Sequence, residues 1–77
     1  MPSSSQIRAA RSLLGMSQHD LATAAGLSVP TIKRVEGAGK VRASDKAIAS
    51  VCTVLESAGV EFIEENGGGA GVRLRKG

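Results

Sequence analysis

Two helix-length apolar patterns follow each other in the stretch SQHDLATAAGLSVPTIKRVEG, with only one glycine between them. Ser17 can cap the first helix, and Asp20 stands three residues later, where it can return a hydrogen bond to the cap. Gly26 ends that helix, because glycine readily adopts the left-handed conformation that closes helices. Ser28 can cap the second helix. The stretch therefore predicts two short helices joined by a tight turn.

Helical spacing of apolar residues also occurs on both sides of this stretch. Before it, Ser3 can cap a helix that ends at Gly15, and Gln6 completes a weak capping box. After it, the loop GAGKVRA leads to a helical pattern that begins at Ser44 and stops at Gly59. The sequence thus predicts four helices.

The apolar period then changes from that of a helix to that of a strand. Val60 and Phe62 share one face of a first short strand, and Val72 and Leu74 share one face of a second. The glycine-rich segment between them contains an Asn-Gly pair, which favours a hairpin turn. A β-hairpin is therefore predicted.

Charged residues in the same region are consistent with antiparallel pairing of the two strands. Such pairing could bring Glu61 or Glu64 near Arg73 or Arg75 and help to fix the register. A disordered tail is the alternative, because two strands alone are only marginally stable in water.

The length of the chain, 77 residues, is near the lower limit for a fold without disulfides, metals or a partner subunit. One cysteine permits no intramolecular disulfide, and one histidine provides no metal-binding cluster, so neither a metal nor another cofactor is expected. No secretory, lipidation or membrane-spanning segment is found, which predicts a soluble cytoplasmic protein. We expect residues 1–59 to form a helical domain and residues 60–77 the hairpin.

Positive charge is concentrated in the first part of the chain. Residues 1–58 contain seven Lys and Arg against four Asp and Glu, a net of 7 − 4 = +3, whereas the remainder is neutral. This distribution suggests a polyanionic partner, although a surface that is basic by chance is the alternative. The basic side chains that lie close together in sequence are Lys33, Arg34, Lys40 and Arg42.

Five positions in the two central helices have both a characteristic spacing and a physical reason for it. Ala22 is small where the two helices cross, Gly26 permits the turn, and Leu27, Ile32 and Val35 fill the wedge between the helices. Together with Gln18, this pattern resembles the helix-turn-helix of phage repressors, the family of lambda repressor, Cro and the small Xre-like bacterial regulators. The resemblance implies a mainly α, lambda-repressor-like domain of four helices, followed here by the hairpin.

The resemblance extends beyond the two central helices. The stretch RAARSLLGMSQ is similar to the family's first helix, and TIKRVEG is similar to the end of its recognition helix. In the family, an arginine of the first helix pairs with the glutamate that closes the recognition helix. The resemblance therefore implies a structural ion pair between Arg11 and Glu36.

The same resemblance implies a DNA-binding surface, because the second helix of such a motif enters the major groove. Gln18 matches a residue that contacts backbone phosphate, and Arg34 is the best candidate to grip guanine O6 and N7. Lys33, Lys40 and Arg42 are expected to contact phosphates. Val29 and Pro30 depart from the polar residues that are common at these two positions in the family, so the contact there would be with a thymine methyl group or absent. The residues expected to face the groove are Ser28, Val29, Thr31, Lys33 and Arg34.

We therefore expect a transcriptional regulator, a repressor that binds double-stranded DNA as a homodimer and associates with the nucleoid. An antitoxin that autoregulates through the same helices is one alternative, and a protein-interaction module that has lost DNA binding is another. No nucleophile, base and orienting residue are combined, so an enzyme is not expected.

The hairpin is the candidate dimerisation element, because its apolar faces exceed what one small helical core needs. In the rival, intramolecular placement, Phe62 simply covers the fourth helix of its own chain. The residues considered for the dimer interface are Val60, Phe62, Ile63, Val72 and Leu74.

Overall fold

The computed structural model describes residues 1–75, so Lys76 and Gly77, which end the predicted hairpin segment, lie outside the described residues. Four helices are followed by a two-stranded antiparallel sheet, which confirms the predicted fold class. None of the helices in residues 1–75 is long and apolar enough to cross a membrane. The elements are α1 (Ser4–Leu13), α2 (Gln18–Ala25), α3 (Val29–Val35), α4 (Asp45–Ser57), β1 (Val60–Ile63) and β2 (Gly71–Leu74).

Each helix begins at a serine whose hydroxyl accepts a backbone N–H from the first helical turn. In α1 and α2 the bond is reciprocal, because Gln6 and Asp20 accept the backbone N–H of their own capping serines. The two predicted capping boxes are thus confirmed. The capping serines are Ser3, Ser17, Ser28 and Ser44.

The turn between α2 and α3 depends on Gly26, whose φ of 69° lies in the left-handed region. The chain closes α2 there, and the Leu27 N–H donates to the Ala22 carbonyl oxygen at 2.9 Å. Ala22 and Ile32 are buried at this crossing, whereas Leu27 is half-buried against the core. The tight turn fixes the direction in which α3 leaves α2.

The hydrophobic core receives residues from all four helices and from the first strand. Its largest completely buried side chains are those of Ile7, Leu21, Ile32, Val51, Leu55 and Val60. The core therefore spans the helical part and the hairpin.

The hairpin pairs Val60 with Leu74 and Glu61 with Arg73, and it packs against α1 and α4. The Arg73 Nε lies 2.9 Å from the Glu61 Oε1, so one of the predicted cross-strand pairs is confirmed. One further backbone bond continues the pairing, from the Arg75 N–H to the Gly59 carbonyl oxygen at 2.7 Å. In residues 60–75 the disordered-tail alternative is therefore wrong.

The side chain of Gln6 attaches the hairpin to α1. Its Nε2 donates to the carbonyl oxygens of Ile63 and Gly71, at 3.1 Å and 3.0 Å, which end β1 and begin β2. Its Oε1 also accepts the Ser3 N–H in the capping box. One amide group thus joins the start of the first helix to both strands.

The placement of the hairpin requires a correction to the dimer candidates. Val60 is only 2% exposed, so it is part of the core of its own chain and cannot contact a second subunit in this fold. Phe62 is half-buried against the same core and its strand contacts α4, in agreement with the rival placement. Val72 is half-buried there as well. Leu74, which is 47% exposed, is the one large apolar side chain of the two strands that is exposed.

Candidate nucleic-acid interface

A buried polar network fixes the relative positions of α1, α2 and α3. The Glu36 carboxylate, at the end of α3, is only 3% exposed. Arg11 of α1 donates to it from two nitrogens, with Nε 2.6 Å from Oε2 and Nη2 3.2 Å from Oε1. The Arg11 Nη1 also donates to the Met16 carbonyl oxygen at 3.0 Å, in the connection between α1 and α2. The ion pair implied by the resemblance is present, and it links three segments.

Gln18 is the third member of this network, and its bond to Glu36 was not predicted from the sequence. Its Nε2 donates to the Glu36 Oε1 at 3.1 Å, which connects the first residue of α2 to the last turn of α3. Glu36 therefore receives hydrogen bonds from both preceding helices, as a buried carboxylate requires. The contact of Gln18 with a backbone phosphate stays a prediction.

The first turn of α3 is less open to solvent than we expected. That Val29 faces the groove stays a prediction, but its side chain is half-buried against the core. The reason is geometric, since Val29 is the first residue of α3 and lies immediately after the turn that directs the helix onto the core. The Ser28 and Thr31 hydroxyls are 2.9 Å apart and hydrogen-bond to each other. Ser28 is exposed and Thr31 is half-buried.

The last turn of α3 and the following loop carry the exposed cations. Lys33 and Arg34 are exposed at the end of α3, where they also complement the negative end of the helix dipole. Lys40 and Arg42 are exposed in the loop. Arg42 lies 3.7 Å from Asp45, but both side chains are about 80% exposed, so this pair contributes little stability.

A surface cavity brings three of these cations together. It has a volume of about 370 Å³, and its lining includes Arg34, Lys40 and Arg42, together with Ser3 and Ser4 at the start of α1. Lys33 is not part of the lining. The structure therefore places the end of α3, the basic loop and the beginning of α1 around one concave surface.

Gly37 allows this close arrangement, and the sequence analysis did not single it out. Its φ is +91°, and a Cβ atom at this position would lie 2.9 Å from the Ser4 Oγ. A side chain would therefore collide with the start of α1. The available signal was the position of Gly37 directly after α3, where a left-handed glycine commonly closes a helix.

This geometry defines a class of protein: a compact helical domain in which two short helices cross at a glycine turn, with exposed cations at the end of the second. A family model described as "Helix-turn-helix domain" matches residues 4–62, and the chain belongs to that family. Its members are small DNA-binding regulators, and the fold places this chain among them. A search of curated proteins finds no significant match.

Proposed function

We propose that this protein is a sequence-specific regulator of transcription, a repressor of the Xre and Cro type that binds double-stranded DNA. The observation that carries the proposal is the shared concave surface of Arg34, Lys40 and Arg42 at the end of α3. On this surface Lys40 and Arg42 suit phosphate groups, which dominate the affinity of DNA-binding proteins. The protein would act in the cytoplasm, on the nucleoid.

The exposed cations divide into two roles. Arg34 extends from the helix that enters the major groove in this motif, and its guanidinium suits the O6 and N7 atoms of guanine. Lys33, Lys40 and Arg42 serve as phosphate contacts that set affinity and register. Thr31 and Ser28 contribute less to base reading, because their hydroxyls already hydrogen-bond to each other.

We further propose that the operator is a pseudo-palindrome read by a homodimer. One helix-turn-helix contacts few base pairs, and dimers of this motif read two half-sites about 34 Å apart. The exposed part of the hairpin supplies the subunit contact in this proposal, through Leu74 and the half-buried Ile63. Repression follows where such an operator overlaps a promoter.

The test is selection of bound duplexes from a randomised library at one fixed salt concentration. The expected result is an enriched pseudo-palindrome with two half-sites one helical turn apart. Arg34→Ala should lose the preference at one base pair in each half-site. Arg8→Ala is the matched control, because Arg8 is an exposed arginine that does not line the cavity and bonds only to the Ser5 hydroxyl within residues 1–75.

Two other outcomes would redirect the proposal. If no sequence is enriched but a partner protein co-purifies, the antitoxin function takes precedence over the repressor function. If an enriched site has a single half-site, and Leu74→Asp leaves the elution volume on a sizing column unchanged, the homodimer is excluded. Leu74 suits this test better than the buried Val60, because its substitution leaves the core intact.

A further inference from the structure

The segment that connects β1 to β2 contains the only asparagine of the chain, Asn66, and a glycine follows it. Asn66 and Gly67 are both exposed, and Gly67 has a φ of +94°. Nothing lies within 4 Å of the position of a Cβ atom at Gly67. The backbone at this point is therefore accessible to water and sterically open.

An asparagine followed by glycine in such a segment can react with its own main chain. After the Gly67 nitrogen loses its proton to hydroxide, that nitrogen forms a bond to the Asn66 Cγ, and the Cγ–Nδ2 bond breaks. The departing nitrogen takes a proton from water and leaves as ammonia, which regenerates hydroxide. Water then opens the resulting succinimide at either of its two carbonyl carbons, producing aspartate or isoaspartate. The net change exchanges one water for one ammonia, without oxidation or reduction.

In the folded protein the N–H of the attacking nitrogen, that of Gly67, is already hydrogen-bonded. The Glu65 Oε1 accepts the Gly67 N–H at 3.2 Å, and the same oxygen accepts the Gly69 N–H at 3.0 Å. This hydrogen bond stabilises the neutral N–H form of the Gly67 amide. An ionised carboxylate at this distance also repels the amide anion that must form. Glu65 therefore opposes the step that starts the reaction.

We propose that Asn66 is a site of spontaneous conversion to aspartate and isoaspartate, and that Glu65 slows this conversion in the folded protein. The product carries one additional negative charge, beside Glu64 and Glu65, and lowers the net charge of +3 by one. Isoaspartate also adds one carbon to the main chain between the two strand ends that Gln6 holds. The modification would therefore alter both the charge and the closure of the hairpin.

The experiment compares conversion of the full chain at mildly alkaline pH, with and without urea. Peptide mapping by mass spectrometry follows the replacement of NH by O in the peptide that contains Asn66, and ammonia release is measured in parallel. The folded protein should convert more slowly than the unfolded chain. Glu65→Ala should accelerate conversion of the folded protein by about two- to threefold, the factor expected for a weak net hydrogen bond. It should not accelerate conversion in urea.

Glu64→Ala is the matched control, because it removes the same charge from the neighbouring position. In residues 1–75 the Gly67 N–H is accepted by Glu65 and not by Glu64. The control should therefore convert at the rate of the unaltered protein. Equal rates for Glu65→Ala and Glu64→Ala would overturn the role of Glu65. Unconverted Asn66 in the folded Glu65→Ala protein, after the unfolded chain has converted, would overturn the site itself.

Discussion

Arg11 and Glu36 form a two-bond ion pair across 25 positions of the chain, with the glutamate almost completely removed from solvent. Removing only the arginine would leave a buried carboxylate without its countercharge, although Gln18 would still donate to it. We expect Arg11→Met to lower the free energy of unfolding by about 3 kcal/mol, measured by urea denaturation.

The double variant Arg11→Met, Glu36→Leu serves as the control for that prediction. It removes both charges, so it should be more stable than Arg11→Met alone. A double variant whose loss equals the sum of the two single losses would show that the two residues are not energetically coupled.

Gln6 provides a second stability prediction, because one amide both caps α1 and holds the hairpin. Gln6→Glu keeps an oxygen for the Ser3 N–H but removes the N–H groups that bond to Ile63 and Gly71. It also places a carboxylate beside two carbonyl oxygens. We expect a loss of about 1 to 3 kcal/mol in the free energy of unfolding, and faster hydrogen exchange of the hairpin amides.

Ser3→Ala separates the two functions of Gln6. It removes the N-cap of α1, which costs about 1 kcal/mol, but it leaves the bonds from Gln6 to the strands. The hairpin amides should therefore keep most of their protection in this control. Equal loss of protection in both variants would mean that Gln6 acts on the hairpin only through the helix.

The capping box of α2 makes stability depend on pH in the acid range. Hydrogen bonding with Ser17, through its backbone N–H first and its hydroxyl second, lowers the pKa of Asp20 below its ordinary value. A lowered folded-state pKa means that the ionised carboxylate stabilises the fold above the unfolded-state pKa. That contribution should disappear as the pH falls through the lowered folded-state pKa. The stability advantage of the unaltered protein over Asp20→Asn, measured in urea, should follow this course, whereas a pH-independent difference would contradict it.

Two left-handed glycines should respond differently to alanine. At Gly26 a Cβ atom meets nothing within 4 Å, so Gly26→Ala should cost only the strain of the left-handed backbone, about 1 to 2 kcal/mol. At Gly37 the strain is joined by the approach to Ser4, so Gly37→Ala should cost more. Combining Gly37→Ala with Ser4→Ala should recover part of that excess, because the Oγ atom is removed. The check is the free energy of unfolding of the unaltered protein, the two glycine variants and the double variant. If Ser4→Ala did not reduce the cost of Gly37→Ala, the result would argue against the contact.

The proposed DNA contacts predict distinct salt and sequence effects. Lys40→Ala should weaken binding to the selected operator and to a scrambled duplex alike, and reduce the slope of log affinity against log salt by about 1. Arg34→Ala should weaken the selected operator more, with a loss of discrimination of about 1 to 3 kcal/mol. Titrations of both duplexes over a salt series give both quantities. The assigned roles would be contradicted if Arg34→Ala, like Lys40→Ala, weakened binding to the operator and to the scrambled duplex by the same factor.

The features that sequence reasoning predicted correctly depend mostly on neighbouring residues. The capping boxes of Ser3 and Ser17 bring together side chains three positions apart, and the turn at Gly26 follows from the freedom of one glycine. The change of apolar period that predicts the hairpin is likewise a pattern among neighbouring residues. Local chemistry therefore accounts for the helices and strands.

The features that sequence reasoning missed depend on distant partners. Nothing in the residue type of Gln6 indicates bonds to carbonyl groups 57 and 65 positions later. The resemblance predicts a phosphate contact for Gln18, but not its bond to Glu36, which forms only once α2 and α3 have packed. The burial of Val60 likewise depends on how the hairpin docks, since period-two spacing identifies an apolar face but not what covers it.

The attachment of β2 to α1 through Gln6 has a consequence for the order of folding during synthesis. The helix that contains Gln6 is translated before either strand, and the carbonyl group of Gly71 is made 65 residues after Gln6. Until then, the Gln6 Nε2 lacks this acceptor, although the Gln6 Oε1 can already accept the Ser3 N–H. The growing polypeptide can therefore form its helices in succession, but the first helix obtains its final neighbour only after the second strand has been translated.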